Sequence, residues 1–229
     1  MNKKICQITT KEQLLDSDLL WDFGKGENVF FTSDTHFGHG KILEYCHRPF
    51  GDIDEMDEKL IRNWNAVVGE NDIVFHLGDF CFGNIEKWKS VLERLNGKKF
   101  LVIGNHDMKT ISKDSFSEEI LPHFELIKQQ MNILIDGWHI YLNHYPFLAF
   151  GGAYNPQRKV GQLFGHVHYY NGSKGLDSER LKELFPFQYD VGVDNNNYMP
   201  ISWKKVKSIF ESCGECSYKN MVEFKKDNN

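Results

Sequence analysis

The stretch Asn28 Val29 Phe30 Phe31 Thr32 Ser33 Asp34 Thr35 His36 Phe37 Gly38 His39 decides how this chain is read. Its first part is a continuous apolar run, as expected of a strand buried on both faces. Where that strand must end, a carboxylate (Asp34) and an imidazole (His36) stand two residues apart and can grip one metal ion together. Alone, the pair is also the pattern of a turn carboxylate beside a surface histidine. Four further clusters change its meaning: Gly78 Asp79, then Gly104 Asn105 His106 Asp107, then Asn143 His144, then Gly165 His166 Val167 His168. Each follows an apolar run, and five clusters of metal-ligand residue types in that setting are hard to credit to chance.

Outward from this stretch, the periodicity switches between strand and helix. Met56, Leu60, Ile61, Trp64, Val67 and Val68 recur at helical spacing and predict an amphipathic helix over 54–68. Ile85, Trp88, Val91, Leu92 and Leu95 predict another, stopped by Asn96 Gly97, and a short helix is expected through Ile42, Leu43 and Tyr45. With strands expected at 72–77 and 99–103, the layout is βαβαβ, which implies a parallel sheet covered by helices. Ligands of such sheets bind outside the carboxyl ends of the strands, so the first three clusters converge by topology. The second half reads as shorter strands at 125–129, 131–135 and 138–142, with Asp136 Gly137 as a hairpin signal between the last two. Further strands are expected at 162–164, 189–193 and 201–203, and a closing helix near 204–210.

A chain of 229 residues with 41% hydrophobic and 14% aromatic content buries one sizeable core, so a single domain over 1–229 is expected. Residues 1–27 read as an accessory start, with Thr9 and Glu12 spaced as a capping box, and 213–229 as a polar tail. The loops expected to be mobile lie at 151–158 and 171–178. A formal charge of -5 argues against a nonspecific nucleic-acid binder with a basic surface, although a positive patch inside a cleft does not show in that sum. No apolar run reaches the ~20 residues that span a bilayer, and five scattered cysteines suit a reducing compartment, so a cytoplasmic protein without a membrane partner is expected. Cys213 and Cys216 make at most half a zinc site.

Two Asp, one Asn and four His form a mixed oxygen and nitrogen set that favours Mn, Fe, Zn, Co or Ni over Mg or Ca. Seven ligands are too many for one tetrahedral ion and suit two ions sharing a carboxylate. Asp79, without a second ligand in its own cluster, is the natural bridge. Two divalent cations against two carboxylates leave a site that attracts phosphate. Two metals ~3.5 to 4 Å apart also lower the pKa of a shared water and stabilise attacking and leaving oxygens alike. The expected reaction is therefore hydrolysis of a phosphoester by a hydroxide bridging the ions. His106, crowded by its neighbour Asn105, is expected outside the ligand shell as the acid for the leaving group, with Asp107 either setting its orientation or simply holding a turn. Arg48 is a candidate for a phosphate oxygen or for holding its own turn, and His39 for substrate contact or helix packing. His76 and Cys81 are expected in the core, while Tyr169, Tyr170 and Asn171 either line a base-stacking pocket or pack among themselves.

Taken together, Asp34 x His36, Gly78 Asp79, Gly104 Asn105 His106 Asp107, His144 and Gly165 His166 x His168 resemble the five motifs of the calcineurin-like metallophosphoesterases, in order over roughly residues 28 to 170. The resemblance implies an α/β fold of two β-sheets sandwiched between helices (αββα), with a dinuclear centre at one rim. It also implies two ligand sets: Asp34, His36, Asp79 and His168 for one ion, and Asp79, Asn105, His144 and His166 for the other, with manganese the first expectation. The Arg-bearing features of Ser/Thr protein phosphatases are missing, since Asp79 continues as Phe80 Cys81 Phe82 Gly83. The substrate expected is a small phosphodiester or nucleotide, with nucleic acid only as substrate. The alternatives are a phosphomonoesterase and a catalytically silent metal-binding scaffold. The oligomeric state and the pathway are not legible in the sequence.

Overall fold

The computed structural model describes residues 21–153, 155, 157–168 and 184–212. The Thr9 and Glu12 capping box, the 171–178 loop, the Tyr169, Tyr170 and Asn171 pocket, and the Cys213 and Cys216 pair with its tail lie outside the described residues.

The strands are β1 (Trp21–Asp22), β2 (Val29–Thr32), β3 (Ile73–His76), β4 (Lys98–Val102), β5 (Phe124–Lys128), β6 (Gln130–Ile135), β7 (Trp138–Asn143), β8 (Val160–Phe164), β9 (Gln188–Asp190) and β10 (Ile201–Ser202). The helices are α1 (Ile42–Tyr45), α2 (Ile53–Val67), α3 (Ile85–Leu92), α4 (Met108–Ile111), α5 (Phe116–Glu119) and α6 (203–212). They build two mixed five-stranded sheets, ordered β10-β2-β3-β4-β5 and β1-β6-β7-β8-β9, with flanking helices, as the αββα expectation requires. In the first sheet β2, β3, β4 and β5 are parallel, and only β10 enters antiparallel against β2. In the second, β6 and β7 form the antiparallel hairpin, while β7, β8 and β9 are parallel.

Burial explains the two strand styles seen in the sequence. Phe31, Phe75 and Phe100 of the first sheet face the core between the sheets. Val74 and Leu101 face the opposite way, into a second core with Leu60 and Trp64 of α2 and Trp88 of α3. Both faces are dry, so the runs are apolar throughout. In β7, buried Trp138, Ile140 and Leu142 alternate with half-exposed His139, Tyr141 and Asn143, the pattern of a strand buried on one face. Asp136 and Gly137 close the hairpin with positive φ at both positions (47° and 76°), as a type I′ turn demands.

Capping fixes α2, where the Asp52 side chain accepts from Glu55 N at 2.8 Å and the Glu55 carboxylate reaches back to Gly51 N at 2.7 Å. Beyond the unexpected short helices α4 and α5, differences from expectation fall at boundaries. Strand 189–193 stops at Asp190 and gives way to a 3-10 turn at Val193–Asn195, α3 ends at Leu92 before the Asn96 Gly97 signal, and the accessory start already contributes β1. No helix among the described residues is long and apolar enough to cross a membrane.

Candidate metal centre

Every ligand cluster stands just past the C-terminal end of a strand: Asp34 and His36 after β2, Asp79 after β3, Asn105 after β4, His144 after β7, His166 and His168 after β8. The chain must turn sharply there, and Asp34, His36, Asp79, His166 and His168 all adopt left-handed backbone, with φ of 57°, 52°, 55°, 71° and 46°. L-residues seldom do so, at a cost of about 1–3 kcal/mol each, and they do so chiefly where a site requires it. Hydrogen bonds between the exits hold them. Asp34 N donates to Gly78 O (2.9 Å), His36 N to Asp79 O (3.0 Å) and Gly165 N to His144 O (3.0 Å). The carboxylates take part as well: His166 N donates to Asp34 Oδ2 and His106 N to Asp79 Oδ1, both at 2.9 Å. Two glycines permit this crowding. A Cβ on Gly78 (φ 98°) would stand 2.7 Å from Gly104 N, and one on Gly165 would strike Ser33 Oγ and Asp34 Oδ2.

The turns bring all seven nominated ligands together. Ligand atoms of Asp34, His36 and His168 lie within 4.8 Å of one another, as do those of Asp79, His144 and His166. Asp79 Oδ2 faces both groups, 3.6 Å from His36 Nε2 and 3.5 Å from His144 Nε2. Asn105 Oδ1 lies 3.0 Å from His144 Nε2, and His168 Nε2 lies 3.8 Å from Asp34 Oδ1. Asp34 Oδ1 and His36 Nε2 are buried with no hydrogen-bond partner. Buried polar atoms are rarely left so, and a cation between them satisfies both. A divalent first-row ion therefore fits the residues present.

Proton affinities in the metal-free centre point the same way. Burial alone would lower His144, but the Asp79 carboxylate beside it outweighs that and pushes the ring up to about 9. For His168 burial is again overcome, by Asp194, Cys46 and Asp34, and the ring rises to about 11. Burial first, then the His168 ring, pushes His36 the other way, well below the ordinary imidazole value. Asp79 is held below the carboxylate range by the facing His144 in spite of its burial.

Outside the ligand ring stand the groups that aim it. Asp194 Oδ2 accepts from His168 Nδ1 at 2.7 Å, which turns Nε2 inward, and Leu77 O does the same for His144 Nδ1 at 2.8 Å. Asp194 is gripped by Arg48 through Nε and Nη2, both at 2.8 Å, and Arg48 spends its other N–H groups on Asp34 O, Thr35 O and Met56 Sδ. Its five donors are taken and the side chain is buried, so Arg48 positions the Asp34 loop instead of reaching a phosphate or holding a surface turn. The thiol of Cys46 lies with His168 and Asp194 in this support. Of its two readings, Asp107 takes the one that holds the turn. Its buried carboxylate accepts from Asp79 N, Phe80 N and Gly104 N, all at 2.9 Å, and ties two ligand loops together with no bond to the His106 ring.

His106 stands at the mouth, its side chain 39% exposed and its Nε2 3.9 Å from Asp79 Oδ2. His39 packs against the centre, Nδ1 to Nδ1 with His36 at 3.2 Å, and stacks on Phe82 at 4.2 Å. His76 is a satisfied core histidine. Gly78 N donates to its Nδ1, so Nε2–H is left to donate to Thr35 Oγ1, which donates in turn to Phe80 O. Cys81 is buried in the core, and His123 and His139 join none of the metal-ligand groups. Asp194, four residues past β9, is the support that sequence reasoning missed.

A fold of two layered sheets with carboxylate and imidazole groups gathered at their C-terminal rim defines a metallophosphoesterase architecture. The chain belongs to the calcineurin-like phosphoesterase family, whose description fits residues 28–207. It is 39% identical over 143 residues to an uncharacterized protein of Methanocaldococcus jannaschii, covering 57% of this chain and 77% of that one. To the Gene 66 protein of Mycobacterium phage D29 it is 40% identical over 188 residues, covering 73% of this chain and 88% of the phage protein. A protein of unknown function from Aquifex aeolicus shares its fold with a TM-score of 0.55 and 26% identity, covering 79% of this chain and 98% of that one.

Proposed function

We propose that this protein hydrolyses phosphodiesters, nucleotide-type substrates before others, at a pair of divalent transition-metal ions, manganese first among them. Asp34, His36, Asp79 and His168 would hold one ion, and Asp79, Asn105, His144 and His166 the other. The observation that carries this reading is the single oxygen Asp79 Oδ2, which faces imidazoles of both groups at 3.6 and 3.5 Å, as a bridging ligand must. When bound, such a pair supplies Lewis acidity that generates a nucleophile from water at neutral pH and neutralises charge at phosphorus.

The chain's own residues do the rest. Asp194 and the Leu77 carbonyl keep the Nδ1 protons of His168 and His144 in place, leaving each Nε2 free to face inward. His106, half-exposed at the mouth, holds the proton that the departing oxygen needs. His39 backs His36, and Asp107 keeps the Asp79 and Asn105 loops together. The buried free thiols of Cys46 and Cys81 support the cytoplasmic expectation.

The test is metal analysis of protein purified without chelator, with turnover of bis-p-nitrophenyl phosphate and p-nitrophenyl phosphate in manganese. Two ions per chain and a faster diester reaction are expected. Faster turnover of the monoester would make the protein a phosphomonoesterase. Less than one ion per chain with no stimulated hydrolysis of either would point to a silent scaffold.

A further inference from the structure

The described residues expose three large aromatic side chains, Tyr45, Phe82 and Tyr145, at 61%, 46% and 44%. All three stand at the rim of the metal centre. Tyr45 lies 6.5 Å from the His39 ring, Phe82 stacks on His39 and lies 5.5 Å from His106, and Tyr145 lies 4.7 Å from His166. Exposed apolar rings gathered at one place mark a binding surface. Next to Phe82 opens a pocket of about 270 Å³ whose lining includes His106, Lys109, Thr110 and Lys113 and holds no carboxylate. Neither lysine has a carboxylate partner among the described residues. In a chain of net charge -5, two unopposed ammonium groups beside the site are a local exception.

The walls of this pocket belong to the strand exits that carry Asp79 and His106. Thr110 Oγ1 donates to Gly83 O at 3.3 Å and joins them, and Phe37 bridges to Cys81 just behind. The backbone positions of Phe82, Lys109 and Lys113 relative to the centre are thereby tied together. A flat apolar platform followed by a cationic pocket, both on the leaving-group side, suits a ligand in which a planar base and a phosphate alternate.

We propose that the His106 side of the centre receives the leaving-group portion of a single-stranded nucleic acid, its base on Phe82 and its next phosphate between Lys109 and Lys113. This deepens, and rests on, the phosphodiesterase reading. A stacking platform is indifferent to sequence, because every base offers a π-face, and the lysines make the binding salt-dependent.

The experiment compares manganese-loaded wild type with Phe82→Leu and with the double variant Lys109→Glu, Lys113→Glu. Its readouts are hydrolysis of tetrathymidylate and of bis-p-nitrophenyl phosphate, and binding of labelled tetrathymidylate by fluorescence anisotropy. The ratio of kcat/KM for the oligonucleotide to that for the small diester should fall about tenfold in Phe82→Leu, mainly through KM. In the double variant the ratio should fall at least as far, and the slope of log affinity against log salt should flatten by roughly 0.7 for each phosphate that the lysines no longer neutralise. Ratios, anisotropy and salt slopes like those of wild type would overturn the proposal, as would a phosphotyrosine peptide that is bound better than the oligonucleotide and shows the same sensitivity. Failure to hydrolyse the small diester sinks the phosphodiesterase reading, while the anisotropy arm still decides the binding pocket by itself.

Discussion

On the side of Asp34, His36 and His168, orientation comes from buried charge: Asp194 holds the His168 ring, and Arg48 holds both Asp194 and the carbonyls of Asp34 and Thr35. On the side of Asp79, His144 and His166 it comes from the peptide backbone. Leu77 O aims His144, and three N–H groups on Asp107 set the spacing of the loops. The first arrangement links residues 146 positions apart, so it can be broken without replacing any of the seven side chains of the cluster. The second is mostly local to the strand exits and yields chiefly to loss of a ligand itself.

The greatest effect is expected where the two sides meet. Asp79→Asn removes the shared charge and should lower turnover of bis-p-nitrophenyl phosphate by about 10³-fold or more, since the proposed assignment has both ions share that carboxylate. Metal analysis should then find under one ion per chain, and two retained ions would show that the sides are independent. His106→Ala should leave both ions in place and slow hydrolysis of a diester with a poor leaving group by about 10²- to 10⁴-fold, with a smaller loss for p-nitrophenolate. Loss of an ion in that variant would make His106 a ligand.

The charge-held side can be attacked alone. Asp194→Asn should weaken one ion by about 10- to 100-fold and spare the other, read by stepwise chelator competition. Arg48→Met should also destabilise the fold by about 3–5 kcal/mol, measured by denaturant unfolding, because Asp194 stays buried with only the His168 ring to oppose it and the Asp34 and Thr35 carbonyls lose their donor. Equal weakening of both ions by Asp194→Asn would erase the contrast.

The smallest effect is in pH. In metal-free protein, burial works against charge on both rings, yet the carboxylates raise His144 to about 9 and His168 to about 11. A folded-state value above the unfolded one (about 6.5) means stability fully present below pH ~6.5, lost first through His144 near 9 and then through His168 near 11. Bound ions replace those protons. Chelated protein should therefore lose melting temperature on going from pH 6.5 to 9 while the loaded protein holds its own, and metal binding should release protons at pH 7. Identical pH profiles for the two forms would contradict the cation-for-proton exchange.

The metal-type residues of both sides were legible in the sequence, for apolar runs lead to Asp34 and His36, to Asp79, to Asn105, to His144 and to His166 and His168. What was not legible is the support of the charge-held side. Arg48 sits in an unremarkable turn and Asp194 follows a strand of only three residues, Gln188–Asp190, so nothing local announces that they meet. The same blindness to distance hid the antiparallel entry of β10 beside β2 and the pairing of Trp21 with Ile133. α4 and α5, four residues each, are too short to show a period.

The dispersal of the centre along the chain also dictates when it can exist. A ribosome delivers the Asp34, Asp79 and Asn105 loops early, but His168 gains the carboxylate that aims it only after position 194 has been synthesised. A chain truncated between His168 and Asp194 should therefore carry all seven residues of the cluster with the His168 ring unaimed.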